Sequence, residues 1–222
     1  MKTIYRKFQN KGIDFKHVCE VGVYKPVTSN ISDFIFDGIK ATLVEADSAL
    51  VPEIETYFAG KNITIHNVAI WDYNGTIKLS KASASTFVSE LEASPALVND
   101  GYVVSEEDSF EIPCRIFSDL DDGSIDFLSV DIEGSEWYVI KNLVSRPKVI
   151  SVETHGKYYT NPFITNILEW MEANDYQIWY KDNSDTVFVK SDVFTPDMSD
   201  KWALGYKNFR IELRKMKRHF KK

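Results

Sequence analysis

The chain has little of what marks several large classes of protein. Its 222 residues include only two cysteines, Cys19 and Cys114, so no disulfide framework is expected, and no zinc-ligand spacing or internal repeat is present. No apolar run is long enough to span a bilayer, and the first eighteen residues lack the apolar region of a secretory signal. We therefore expect a cytoplasmic protein.

A glycine-rich phosphate loop is also missing. A dinucleotide site requires G-x-G-x-x-G after its first strand, because the backbone must approach a pyrophosphate. Here the first apolar run leads into Glu20, Gly22, Tyr24 and Pro26, so a single glycine stands in that loop. The sequence thus disfavours a nicotinamide or flavin cofactor.

Excess positive charge is absent from most of the chain. The net charge is −7, and residues 206–222 alone carry eight Lys and Arg against one Glu, which leaves −14 for the remainder. An acidic body with a basic tail is not typical of nucleic-acid binding, so we predict no nucleic-acid partner.

The basic tail has an apolar stripe. Phe209, Leu213, Met216 and Phe220 are spaced by four, three and four residues, which predicts a basic amphipathic helix over residues 203–222. We favour docking of this stripe on the chain's own domain or on a second subunit. Contact with an anionic membrane is the alternative, and the oligomeric state stays open.

Alternating strands and helices are what the sequence contains. Apolar runs typical of buried strands alternate with patterns of helical spacing, and two strand-like stretches near the C-terminus flank a polar turn. The strand-like stretches are 17–22, 41–46, 62–70, 125–130, 148–154, 176–180 and 186–190. This order predicts an α/β fold with a mostly parallel sheet, helices on both faces and an antiparallel C-terminal hairpin. We expect one domain over residues 1–202, in which residues 81–114 break the rhythm and form a loop or lid.

The ends of the first three strands form a candidate cofactor site. Gly22 permits a close backbone approach and Glu20 can bind an amino group, which suits S-adenosylmethionine, a cofactor without phosphate. Glu45 is placed to accept ribose hydroxyls, and Asn67 and Val68 would form an adenine wall. Tyr24, Ala46 and Asp131 complete the predicted cofactor contacts. The alternatives are an ordinary strand-ending glycine, a solvated strand end for Glu45 and core packing for Val68.

A second group of polar residues follows the two later strands. Residues i and i+2 of a strand share a face, so Asp131 pairs with Glu133 and Glu153 with His155. This group suits proton abstraction or a divalent ion, and we assign no metal ligands. We predict His155 as the base, because its intrinsic pKa is about 6.5, with Asp131 and Glu133 as the other catalytic residues. A solvated loop is the alternative for His155.

Several segments resemble the FkbM family of S-adenosylmethionine-dependent methyltransferases over roughly residues 17–190. The most specific is IDFLSVDIEGSEWYVIKNL, in which a strand ends in D-x-E-G-x-E and a helix follows; VEADS, NVAIWDYNGTIKL and IPCRIFSDL also match. The resemblance implies a Rossmann-like class I methyltransferase fold with seven strands, and O-methylation of a sugar or other natural-product hydroxyl. Family members usually have a glycine-richer first loop than the one that contains Tyr24 and Pro26.

The predicted function is therefore S-adenosylmethionine-dependent O-methylation of a hydroxyl on a small molecule, sugar or glycan. Two alternatives stand beside it. The altered first loop suggests a non-catalytic methyltransferase-like binding module, and the acid at the second strand end is also compatible with a nicotinamide oxidoreductase.

Overall fold

The computed structural model describes residues 2–82, 85–91 and 93–219, so Phe220 of the predicted stripe lies outside the described residues. The helices are α1 Thr3–Lys11, α2 Ser32–Phe36, α3 Val51–Tyr57, α4 Glu136–Ile140, α5 Ile164–Ala173 and α6 Met198–His219. The strands are β1 His17–Val21, β2 Lys40–Val44, β3 Ile63–His66, β4 Ala69–Ile70, β5 Gly75–Ala82, β6 Ser85–Val88, β7 Ser109–Arg115, β8 Phe127–Val130, β9 Val149–Glu153, β10 Tyr176–Lys181 and β11 Asp185–Lys190.

Seven strands form the large sheet, in the order β3-β2-β1-β8-β9-β11-β10. The five strands from β3 to β9 are mutually parallel, and β11 is antiparallel to both of its neighbours. This confirms the predicted α/β class, the mostly parallel seven-stranded sheet and the antiparallel C-terminal hairpin.

The sheet is covered on both faces, because successive side chains of its central strands point to opposite sides. Val18 and Phe127 pack with apolar residues of α1, α2 and α3 on one side. Cys19 and Leu128 pack with apolar residues of α4 and α5 on the other. Every residue of β1, β8 and β9 is buried, as their continuous apolar runs predicted.

A smaller sheet, in the order β4-β7-β5-β6, stands beside the large one. The predicted third strand, residues 62–70, divides at Asn67, whose side-chain amide donates to the carbonyl oxygens of Glu45 and Ala46 at 2.7 and 3.2 Å. The chain leaves the large sheet there and pairs with β7 instead. Residues 81–114 contain β6, most of β7 and a helical turn at Ala96–Asp100, and their role as a lid stays a prediction.

The C-terminal helix α6 packs against β10, with Ile211 buried and Asp200 accepting a hydrogen bond from the indole nitrogen of Trp179 at 3.1 Å. Phe209 and Met216 of the predicted stripe are exposed instead of docked on the domain. The helix has a second apolar face, on which Ile211 lies, and that face makes the contact. No helix in the described ranges combines the length and hydropathy needed to cross a bilayer.

Candidate active site

A cavity of about 300 Å³ opens at the carboxyl ends of β1, β2 and β8. The chain runs from β1 outwards to β3 and then returns to β8 on the other side of β1, so this is the point where strand order reverses. Open parallel sheets bind ligands at such a point. The predicted site residues that line the cavity are Glu20, Gly22, Tyr24, Glu45, Ala46, Val68, Asp131 and Glu133; Asn67 and His155 do not.

Gly22 brings the ends of β1 and β8 together. Its φ is +88°, and a Cβ at this position would lie 1.8 Å from the carbonyl oxygen of Asp131. Backbone hydrogen bonds fix the same junction, since Asp131 N donates to Val21 O and Gly22 N donates to Val44 O, each at 2.9 Å. A side chain larger than hydrogen therefore has no room at this wall of the cavity.

Glu45 is held by the loop that follows β1. Its carboxylate oxygens accept hydrogen bonds from the amides of Tyr24 and Asp47, both at 2.8 Å. Tyr24 has a φ of +52°, a backbone conformation unusual for a residue with a side chain. Burial raises the pKa of Glu45 despite these bonds. Asn67 fixes the Glu45–Ala46 backbone from behind and thus positions the site without lining it.

Glu20 is a buried acid inside β1. One carboxylate oxygen accepts the amide of Asn30 at 2.8 Å, and the other accepts the hydroxyl of Ser29 at 2.5 Å. Burial nevertheless dominates and raises the pKa of Glu20 to about 7. A cationic ligand group in the cavity would favour the ionised form of this carboxyl.

The loop after β8 is organised by Glu136. This side chain is fully buried, and one carboxylate oxygen accepts the amides of Ile132 and Gly134 at 3.0 and 3.1 Å, while Asn161 donates its side-chain amide to the other. Burial raises the pKa of Glu136 to about 7. Gly134 has a φ of +114°, and a Cβ there would lie 2.7 Å from the carbonyl oxygen of Ala93. The D-x-E-G-x-E pattern thus contains two acids that line the cavity, Asp131 and Glu133, and one acid that shapes the loop, Glu136.

Further acids surround Asp131. Carboxylate oxygens of Asp131, Glu136 and Glu153 lie within 4.8 Å of one another. Burial, followed by the negative charges of neighbouring carboxylates, raises the pKa of Asp131 and of Glu153 well above the usual range. Asp185, opposite Glu153 in the sheet register, has its pKa raised to about 6, chiefly by burial. This side of the cavity is strongly acidic.

His155 does not line the cavity, although it contacts the lining residues Asp182 and Ser184. Its Nε2 donates to the carbonyl oxygen of Asp182 at 3.3 Å, and its Nδ1 lies 3.0 Å from the hydroxyl of Thr154. Burial lowers the pKa of the ring to about 4. The expected pairing with Glu153 fails because β9 ends at Glu153, and the next two amides both donate to Ser184 O, which turns the chain aside.

Some cavity residues were not predicted from the sequence. Asp182, Ser184 and Asp185 come from the β10–β11 turn, and Thr86, Phe87 and Val88 come from the small sheet. The position of the hairpin turn was predictable from the sequence. Because β10 is parallel to β9, the turn after β10 lies at the same edge of the sheet as the end of β9. Nothing in the sequence indicated that β6 folds over the cavity.

The strand order and an acid-lined cavity at the switch point, without a pyrophosphate loop, define a Rossmann-like α/β protein of the class I methyltransferase type. The family profile described as the methyltransferase FkbM domain matches residues 20–178. The chain therefore belongs to this family, and it is an S-adenosylmethionine-dependent methyltransferase by family and fold.

Solved structures with a similar fold are methyltransferases of distant sequence, and no curated protein matches the chain. The methyltransferase domain of bacterial CtHen1 is 11% identical with a TM-score of 0.47, over 84% of this chain and 94% of that one. Precorrin-6y C5,15-methyltransferase from Geobacter metallireducens is 12% identical with a TM-score of 0.40, over 83% of this chain and 84% of that one. These similarities are too distant to indicate an acceptor.

Proposed function

We propose that the chain transfers a methyl group from S-adenosylmethionine to a hydroxyl oxygen, and that the acceptor is a sugar or glycan. The observation that supports an oxygen acceptor is the place of Asp131. This carboxylate lines the same cavity as Gly22 and Glu45, and it has a pKa raised above the usual range. A hydroxyl is a weak acid, so its methylation needs a base of this kind beside it.

The residues present fit the cofactor. When bound, S-adenosylmethionine supplies a methyl group that its sulfonium has already activated. Glu45, fixed by two backbone amides, retains acceptor capacity for ribose hydroxyls, because a carboxylate has about four lone-pair sites. Glu20 can bind the amino group of the cofactor, and Ala46 and Val68 offer apolar contact to its adenine ring. An acid-lined cavity also favours a cationic cofactor over an anionic dinucleotide.

Asp131 would act as the base. The acceptor oxygen would bond to the methyl carbon as the bond from that carbon to the sulfonium broke, which would leave a neutral thioether. The acceptor's proton would pass to the Asp131 carboxylate, and Glu133, which lines the same cavity, would orient the acceptor. General base catalysis is typically worth about 10²–10⁴-fold, and alignment of two reactants about 7–11 kcal/mol. The positive sulfonium of a bound cofactor would favour the ionised form of Asp131. His155 does not line the cavity, so we assign the step to Asp131 without it.

The test is methyl transfer from S-adenosylmethionine with a labelled methyl group to a panel of sugars, carboxylic acids and amines. We expect label on the sugars that resists alkali, because methyl ethers survive alkali whereas methyl esters hydrolyse. Heat-denatured protein is the control. Label on amines, or label that alkali removes, would contradict the proposal.

Calorimetry separates the two alternatives. Binding of S-adenosylmethionine without transfer to any acceptor class would favour the non-catalytic module. Binding of NAD in its place would favour the oxidoreductase, although the acidic cavity opposes a pyrophosphate.

A further inference from the structure

Two buried carboxylates, Glu136 and Glu153, lie close to the partly exposed carboxylate of Asp131 at the cavity. Asp131 faces the cavity, whereas Glu136 and Glu153 lie outside its lining, and their oxygens approach within 4.8 Å of one another. Glu133 and Asp185 are two further carboxylates that line the same cavity. Like charges this close cannot all ionise without compensation.

Two buried polar atoms, one in this group and one beside it, indicate a ligand. The Oε2 atom of Glu153 and the hydroxyl of Tyr159 are buried and have no hydrogen-bond partner among the described residues. Glu153 is 7% exposed and Tyr159 is fully buried. The Tyr159 hydroxyl lies 3.4 Å from the position of a Cβ built on Gly134, whose amide donates to the Glu136 carboxyl. Buried polar atoms rarely lack a partner, and water or an ion usually accounts for such cases.

We propose that Asp131, Glu153 and Glu136 bind one divalent cation, Mg²⁺ or Mn²⁺. Three carboxylates without sulfur or imidazole match the hard oxygen ligands these ions prefer. Glu153 offers its unpartnered oxygen, and the Glu136 carboxyl is held in place by hydrogen bonds from Ile132, Gly134 and Asn161, with lone pairs left for a cation. Waters would complete the octahedron, and the Tyr159 hydroxyl can hydrogen-bond to one of them.

The cation would face the cavity through Asp131. A metal ion lowers the pKa of an oxygen bound to it, so an acceptor hydroxyl that reached this ion would lose its proton more readily. This consequence rests on the proposed O-methylation, whereas cation binding itself does not.

The experiment measures binding of Mn²⁺ alone to the full chain, by electron paramagnetic resonance and by calorimetry at neutral pH. We expect one Mn²⁺ per chain, displaced by Mg²⁺. Glu153→Gln and Asp131→Asn should each weaken binding at least tenfold. Glu107→Gln, an exposed acid away from the group, is the matched control and should bind as the unaltered chain does.

Folding and function are checked separately. Mn²⁺ should raise the Tm of the unaltered chain but not of Glu153→Gln, whose circular dichroism should be unchanged. No saturable binding, or equal binding by Glu153→Gln and Asp131→Asn, would overturn the proposal. S-adenosylmethionine binding measured in EDTA distinguishes failure of the proposed cation site from failure of the proposed function. Cofactor binding without Mn²⁺ binding refutes only the cation site, whereas the reverse result refutes only the proposed function.

A separate observation concerns α6, which has two opposite faces. Ile211 and Asp200 lie on the face that packs against β10. The opposite face presents large apolar side chains that are 48–76% exposed: Met198, Trp202, Tyr206, Phe209 and Met216. Apolar side chains of this size rarely gather on a free surface without a partner.

We infer that this exposed face of α6 binds an anionic membrane surface. Trp, Tyr and Phe side chains are suited to the level of lipid headgroups. Residues 206–222 hold eight Lys and Arg against one Glu, and such a charge attracts anionic lipids. Two copies of so basic a helix would repel each other, so charge favours a lipid surface over a second copy.

Sedimentation with vesicles tests this inference. We expect the chain to sediment with vesicles of phosphatidylcholine mixed with phosphatidylglycerol, less so at high salt, and not with phosphatidylcholine alone. The Trp202→Ser, Phe209→Ser double variant should lose binding, whereas Tyr73→Ser, an exposed aromatic residue elsewhere, should keep it. Absence of vesicle binding would overturn the inference. A dimer that this double variant abolishes, without vesicle binding, would assign the face to a second copy.

Discussion

The α-carbon of Gly22 faces the carbonyl oxygen of Asp131, so closely that a Cβ on Gly22 would lie 1.8 Å from that oxygen. This contact joins the end of β1 to the end of β8, the two strands between which the order of the sheet reverses. It fixes the distance between the loop that holds Glu45 and the acid proposed as base. The single glycine of the first loop thus serves the geometry of both halves of the cavity.

Gly22→Ala should therefore destabilise the fold and abolish cofactor binding. The positive φ and the clash with backbone together should cost more than about 3 kcal/mol, because neither partner can move away. Gly38→Ala is a matched control, since Gly38 has the same φ of +88° but no atom within 4 Å of its Cβ. That variant should lose only about 1–2 kcal/mol. Equal losses in denaturant unfolding would contradict this account.

Glu45→Ala should weaken S-adenosylmethionine binding by on the order of 2–4 kcal/mol, because two charge-assisted hydrogen bonds to the ribose would be lost. Calorimetry measures the affinity, and circular dichroism checks the fold. Glu55→Ala, an exposed helical acid, is the control. Unchanged affinity in a folded Glu45→Ala protein would remove this residue from the cofactor site.

The main sheet was predictable because strands that are buried on both faces have a recognisable sequence, a continuous apolar run. Strands such as β8, with Phe127 and Leu128 packed on opposite sides, must be apolar at every position. The carboxyl ends of these strands share one edge of the sheet, so the sequence alone predicted that Glu20, Glu45 and Asp131 lie close together.

The parts of the site that the sequence did not predict depend on contacts between distant segments. His155 was placed on the strand by the two-residue period, but hydrogen bonds from its own amide and that of Thr154 to Ser184 O end the strand first. Glu136 is the first residue of α4, but nothing in the sequence indicated that its buried carboxyl accepts the amides of Ile132 and Gly134. Such choices between hydrogen-bond partners are not visible in a periodic pattern.

Asp131→Asn and His155→Gln should separate the two candidate bases. We expect Asp131→Asn to lower the single-turnover rate by about 10²–10⁴-fold, with cofactor affinity measured separately. His155→Gln should stay near the unaltered rate, because the ring lies outside the cavity lining and contacts Asp182 and Thr154. The opposite ranking would return the base to His155 and require the chain after β9 to rearrange.

Glu20 should make the stability of the fold depend on pH between about 4.5 and 7. Burial raises its pKa from 4.5 to about 7, with Lys2 opposing and Asp185 adding to the shift, so the folded protein binds a proton that the unfolded chain has released. Stability from the neutral carboxyl is therefore complete below pH 4.5 and is lost as pH rises through 7. The loss amounts to about 3 kcal/mol, because each pKa unit corresponds to about 1.4 kcal/mol.

Glu20→Gln isolates this effect. The amide can accept the Asn30 amide through its oxygen and donate to the Ser29 hydroxyl through its nitrogen, so both contacts of Glu20 are preserved without a titrating group. Unfolding free energies measured across this pH range should fall more steeply for the unaltered chain than for Glu20→Gln. The control Glu55→Gln, at an exposed position, should follow the unaltered chain. Parallel curves for the unaltered chain and Glu20→Gln would show that Glu20 is already ionised in the folded protein. Its charge would then be available to a cationic ligand without a change of protonation.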